Sequence, residues 1–392
     1  MKKTLIVFFI LWSSLSHAQN KLPGFFYVAT NDSLPYLKYG TGDDRLGGAK
    51  ISPIDSNVIL KVVDSFRTDY KVQLSQLHSA WIAKSNVSRI TAVKKPLQHL
   101  TDTWKVFGDS AFDYVTVQLD QALPYTSRME LNPSLIVVDI FGATSNTNWI
   151  QQLASAREIK NVWYEQVEDD VVRVFIALLH AQHWGYSVFY QDSNKLTVRV
   201  KRQPASLALK NMVIAIDAGH GGSNTGTTGS SGDIREKDLT LLFAKELKKQ
   251  LASRKAKAVM TRVSDTTLSM YERITFLNQQ NPSLLISIHF NESDQDTVRG
   301  VSTYYRYVAF RSLSEAILQR LLQTGLREFG NIGSFNFALS GPTDYPNCLV
   351  EVAFLSNKGD EKKILNPKFR TLVAKKIADG IEDFLKNSAS KK

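Results

Sequence analysis

The change of texture at Met212 constrains this chain more than any other feature. From there on, short apolar runs alternate with amphipathic stretches. Met212–Asp217, Val259–Arg262, Leu284–His289, Val301–Tyr305 and Leu349–Phe354 read as strands, and Asp238–Leu251, Leu268–Gln280, Leu313–Phe329 and Phe369–Leu385 as helices. In the first of these helices Leu239, Leu242, Phe243, Leu247 and Leu251 are expected on one face. Strand–helix alternation of this kind predicts an α/β domain with a largely parallel sheet over residues 208–388.

The first half has a different grain. Short strands broken by turns run from Pro23 to Ile90, among them Val58–Val63, Tyr70–Leu74 and Ala80–Ile82, with a Gly-rich turn at Gly47-Gly48. A second β-rich block runs from Phe107 to Arg202, with alternation in Tyr114–Leu119, Val171–Ile176 and Leu196–Val200 and a buried-type run at Leu135–Ile140. Lys94-Lys95-Pro96 reads as a linker between the two blocks. The chain's 392 residues exceed what one core normally holds, so an α/β domain preceded by two small β-rich domains is the expected architecture. The 23–92 block resembles a bacterial SH3-like module, although Ala80 stands where a Gly is usual. The order Pro133, LIVVDIFGA, VVRVFIAL and KLTVRVKR over residues 105–203 resembles an AMIN domain, a small β-sandwich whose presence implies targeting to the cell wall.

Lys2 and Lys3 precede an apolar run from Leu5 to Trp12, and small residues at Ser16 and Ala18 flank a cleavage point, so residues 1–18 read as a secretory signal. The run is far short of the roughly 20 residues that span a bilayer, and no transmembrane segment is expected after cleavage. Export to the periplasm or cell wall follows. The single cysteine, Cys348, excludes an intramolecular disulfide and sits in an apolar run where a buried thiol is expected. With 48 Lys and Arg against 37 Asp and Glu, the net charge of +11 suits any polyanion, acidic cell wall included.

Chemistry concentrates in the α/β half. His78, His99, His180 and His183 lie in contexts that call for no special role. His220 differs: it follows an apolar strand inside Asp217-Ala218-Gly219-His220-Gly221-Gly222, where glycines let the backbone turn and leave the imidazole open at the strand's carboxyl end. His289 repeats this placement at the end of Leu284–His289. Glu236 stands at a helix start, where a carboxylate also serves the helix dipole; Asp238 is expected to take the capping role and free Glu236. Two imidazoles and a carboxylate make a three-donor zinc site with a position open for water, the arrangement of hydrolytic zinc enzymes. Glu351 interrupts the apolar strand Cys348–Phe354, where a carboxylate needs either an ion-pair partner or a job as the base beside that water.

The segments IAIDAGHGG, REKDLTL, TRVSDTTLSMYERITFLN, SIHFN and CLVEVAFLSN resemble, in order and spacing, those of zinc-dependent N-acetylmuramoyl-L-alanine amidases, over residues 211–384. The resemblance implies that His220, Glu236 and His289 bind Zn2+ and that Glu351 is the catalytic acid/base. It implies hydrolysis of the amide bond between N-acetylmuramic acid and L-alanine in peptidoglycan. Arg262, Asp265 and Arg273 match a family motif and are read as a structural charge network. Ala218 replaces a usual Pro and Phe290 a usual Ala. The stretch Ser334–Ser340 lacks the bases that often meet the stem peptide, and no blocking helix fits after Val301–Tyr307.

Peptidoglycan is the expected partner, nucleic acid is not, and a monomer is expected; whether an activator protein is needed stays open. A catalytically silent wall-binding scaffold and a zinc peptidase cutting within the stem are the rival readings.

Overall fold

A computed structural model describes residues 24–42, 46–91 and 99–390; the expected signal segment and the Lys94–Pro96 linker lie outside them. Residues 26–90 form a seven-stranded sheet, every pairing antiparallel, in which Phe26–Thr30 sits between Ile59–Phe66 and Val87–Ile90. Alternation sets its inner face: Leu60 and Val62 on one strand and Val72 on the next are fully buried. Residues 99–201 build five- and four-stranded sheets with a short parallel pair, Ala143–Ser145 against His99–Thr101. Leu135–Phe141 is buried along its whole length, as its apolar run demands.

The two β-rich units share one apolar cluster, from Val28 through Trp104 to Val200. Asp55 reinforces the junction: its backbone N–H donates to the Tyr125 hydroxyl (2.9 Å) and its carboxylate accepts from the Tyr190 backbone N–H (2.6 Å). The α/β region joins the same body. Arg199 pairs with Asp344 (3.3 Å), Lys201 donates to Asn281 Oδ1 and the Pro282 carbonyl, and Trp184 packs on Phe384 inside the α/β core.

The α/β region holds a six-stranded sheet in the order Lys257–Met260, Val213–Ala218, Leu284–Asn291, Asn347–Phe354, Val301–Tyr304, Glu328–Ile332. The sheet is mixed, not uniformly parallel: Val301–Tyr304 runs antiparallel to Asn347–Phe354, and the other pairings are parallel. A parallel neighbour requires a crossover, usually helical. The segment 292–300 contains no helix, and the chain returns directly as an antiparallel strand.

The helix expected over Leu313–Phe329 is shorter, Arg311–Leu322. Gly325 takes a left-handed φ of 80° and its N–H returns to the Leu322 carbonyl, after which Glu328–Ile332 forms an edge strand. A further helix, Lys358–Ile364, precedes the closing one. Leu239, Phe243, Leu247 and Leu251 of helix Glu236–Ser253 are buried, each worth roughly 1.5–3 kcal/mol. Leu242, expected on that face, is instead 44% exposed.

Candidate metal centre

Three elements deliver the central residues. His220 follows the strand Val213–Ala218, His289 lies near the end of Leu284–Asn291, and Glu236 is the first residue of its helix. Their donor atoms all lie within 4.8 Å of one another. One carboxylate oxygen of Glu236 is 3.0 Å from His220 Nε2, and the other is 3.0 Å from His289 Nδ1. The imidazoles meet edge to face, centroids 4.9 Å apart. Glu236 also accepts the backbone N–H groups of Phe290 (3.0 Å) and Thr227 (2.9 Å).

Burial raises the Glu236 carboxyl, but its hydrogen bonds to His220 and His289 outweigh that and hold it well below the usual carboxylate range. Burial lowers the His220 imidazole, and its bond to Glu236 more than reverses this. No side chain caps the Glu236 helix: its N-cap is Arg235, without a side-chain bond, so Asp238 does not take the expected role.

The backbone here is built for close approach. His220 itself has a φ of 60°, followed by positive values at Gly221 and Gly222. A Cβ at Gly226, whose φ is 67°, would lie 2.7 Å from the Glu236 Cβ and 2.8 Å from His220 Cδ2. Two buried arginines hold this turn. Arg273 pairs with Asp217 (2.5 Å) and donates to the carbonyls of Ala218 and His220. Arg262 donates to the carbonyls of Ala218, Gly219 and Lys237. Asp265 pairs with Lys237 and accepts the Gly222 N–H, so the third member of the expected network serves the same loop from outside.

Glu351 is half-buried and stands in register with His289 on the neighbouring parallel strand. Both line a cleft of about 920 Å³, together with His220, Glu236 and Phe337. The four site residues singled out by their sequence context are thus brought to one cleft. Phe290 is buried edge-on against Phe243. The remaining histidines lie elsewhere: His180 pairs with Glu158, His78 with Glu168 and His99 with Asp120, and His183 is buried against Ser134 and the Glu130 carbonyl. Cys348 is buried, which pushes its thiol up.

The donor set fits a divalent ion of the zinc class. It consists of two imidazoles and one carboxylate, and His289 Nε2 is buried with no hydrogen-bond partner among the described residues. His220 Nδ1 is oriented by Asn224 Oδ1 at 2.9 Å, the outer support that metal-binding imidazoles ordinarily have. Asn224 and Thr227 escaped the sequence reading because a loop that folds back by backbone contacts carries no periodic signal.

A family model described as N-acetylmuramoyl-L-alanine amidase matches residues 214–383. The germination-specific N-acetylmuramoyl-L-alanine amidase of Bacillus subtilis is 31% identical over 211 residues, which cover 49% of this chain and 86% of that protein. This chain belongs to the N-acetylmuramoyl-L-alanine amidase family.

An AMIN domain model matches residues 103–200 of this family member. A probable cell wall amidase, LytH of Staphylococcus epidermidis, is 30% identical over 190 residues, covering 48% of this chain but 64% of that relative's own length. Among solved structures, the catalytic domain of the amidase CwlV from Bacillus (Paenibacillus) polymyxa var. colistinus is 32% identical, covering 45% of this chain and 98% of that one, with a TM-score of 0.43.

Proposed function

We propose that this chain hydrolyses the amide bond between N-acetylmuramic acid and L-alanine in peptidoglycan, with zinc held by His220, Glu236 and His289. The observation that carries the reading is the convergence of these donors beside Glu351 in one cleft. A zinc ion held there would supply an acidified water, with a pKa of roughly 7, and a Lewis acid for the scissile carbonyl.

The chain's own groups do the rest. Glu351 accepts a proton from the attacking water as the carbon–oxygen bond forms, and returns it to the alanine nitrogen as the carbon–nitrogen bond breaks. Arg273 and Arg262 fix the carbonyls on either side of His220, so the imidazole is held before substrate arrives. Phe337, edge-on to His289 at 5.5 Å, walls the site against water.

The 23–92 block, read as an SH3-like module, and the AMIN unit hold the enzyme on the wall, raising its local concentration there. The chain is exported through its N-terminal segment and acts in the periplasm or on the wall. It acts as a monomer, and the segment between Tyr304 and Arg311, which holds only the short turn Val308–Phe310, supports measurable activity in the absence of an activator.

Digestion of purified sacculi, with products weighed by mass spectrometry, tests the activity. Release of stem peptides with a free L-alanine amine is expected. Fragments that keep lactyl-linked alanine would instead mean a peptidase, and no release at all a silent scaffold.

A further inference from the structure

The cleft over the His220–Glu236–His289 cluster is not built by the α/β domain alone, since Leu46 and Lys50 of the N-terminal β-rich unit form part of its wall. Among its described lining residues, Lys50 and Arg273 are the lysine and the arginine present. Arg273 is 1% exposed and committed to Asp217 and to backbone carbonyls. Glu292 and Asp294 line the same cleft and follow the strand Leu284–Asn291. Among the described lining residues, the accessible cation of an otherwise acidic cleft therefore comes from another domain.

Lys50 is placed there by specific bonds. Asn336 of the base-free stretch donates its amide to the carbonyls of Leu46 (3.2 Å), Gly47 (3.3 Å) and Gly48 (3.1 Å), and its Oδ1 faces the Lys50 backbone N–H at 3.4 Å. Arg306 spans the junction, donating to Asn336 Oδ1 (3.1 Å) and to the Lys50 carbonyl (2.6 Å). The Lys50 ammonium donates to the Asn336 carbonyl at 3.2 Å and lies 5.5 Å from the Tyr36 ring centroid. Among the described residues no carboxylate lies within ion-pair distance of it. Burial, then the charges of Arg306 and Lys38, lower this amine to about 8. Among the described residues the half-buried ammonium thus has no paired counter-charge, and a carboxylate entering the cleft would gain a charge-assisted hydrogen bond there.

We propose that Lys50, delivered across the domain junction by Asn336 and Arg306, is a specificity-determining residue that binds a carboxylate on the peptide part of the substrate. The proposal rests on the amidase reading for the nature of that peptide. It assigns the N-terminal sheet a share of the active site in addition to any role in wall attachment, and it supplies the base that Ser334–Ser340 lacks.

The test uses the full chain and two soluble muramoyl tetrapeptides, one with free peptide carboxylates and one with those groups converted to carboxamides. The parent protein is expected to favour the acid form. In Lys50→Met the ratio of kcat/KM on acid to amide form should fall about 10–100-fold, carried by KM, and Lys50→Arg should restore most of it. Melting curves of each variant check that the fold is kept.

An equal loss on both substrates would mean that Lys50 merely props the loop, and would overturn the proposal. So would a parent enzyme indifferent to the carboxylates. Binding of the two peptides to the Glu351→Gln protein keeps the two readings separate. Lys50-dependent preference for the acid form without any cleavage by the parent would sink the amidase reading and uphold this one. Cleavage without that preference would do the reverse, and neither cleavage nor binding would sink both.

Discussion

His289 and Glu351 are register partners on adjacent parallel strands, so their side chains leave the same face of the sheet side by side. This relation puts a carboxylate next to the cluster without making it a member, since the mutually close donors are His220, Glu236 and His289. Glu351→Gln, nearly equal in volume, should therefore bind zinc as the parent does while kcat falls about 10²–10⁴-fold. Metal content by elemental analysis and turnover on sacculi check both halves. Near-normal turnover would remove Glu351 from the mechanism.

Metal removal should be visible in stability as well as in rate. Glu236 is 3% exposed and bridges both imidazoles, so a bound ion would tie two strands and a helix start together. At a free zinc concentration about 100 times Kd, linkage gives about 2.7 kcal/mol. For a domain of this size that corresponds to a melting shift of roughly 5–10 °C. Chelator should abolish activity and lower the melting temperature, and zinc should restore both. His220→Ala should melt at the same temperature with or without chelator.

Much of this centre was legible because it is local. His220 and His289 each stand at the end of an apolar strand, and Glu351 breaks one, so the edge of or gap in a continuous apolar run exposes them. Glu236 was legible by position but not by reason: Asp238 does not cap the helix, and what holds Glu236 is two imidazoles and two backbone N–H groups. The mixed sheet was hidden because strand direction depends on the connection, and the segment 292–300 carries no helical pattern whose absence is easily weighed. The bond between Asn336 and residues 46–50 was invisible for a stronger reason. It joins side chain to backbone across up to 290 residues of sequence, and neither loop has a periodicity to report it.

The Asp217–Gly222 turn allows a sharper test of geometry against chemistry. A Cβ at Gly219 would lie 2.6 Å from His289 Nδ1 and closer still to its Cε1 and Nε2. Gly219→Ala adds no charge and removes no donor, yet the imidazole must swing away. Overpacking of this kind typically costs about 1–3 kcal/mol. Zinc affinity, read by competition with a chromophoric chelator, should fall at least 10-fold while circular dichroism stays that of the parent. Unchanged affinity would mean that the turn relaxes freely and that Arg262 and Arg273 do not hold it.

His183 predicts an acid limb that has nothing to do with catalysis. It is 1% exposed, and burial lowers its imidazole from 6.5 to about 4, partly countered by its bond to the Glu130 carbonyl. Its Nδ1 is buried without a hydrogen-bond partner among the described residues, so a second proton has no acceptor there. With the folded pKa below the unfolded one, the neutral ring costs nothing above about pH 6.5. As pH falls toward 4 the unfolded chain takes up a proton that the folded one refuses, and stability drops by up to about 3 kcal/mol. His183→Gln keeps a donor for Glu130 but does not titrate. Urea unfolding of both proteins at pH 7.5 and 4.5 should show the parent losing about 2–3 kcal/mol more than the variant between the two pH values. Parallel losses would mean that water reaches Nδ1 and that His183 is protonated in the folded chain.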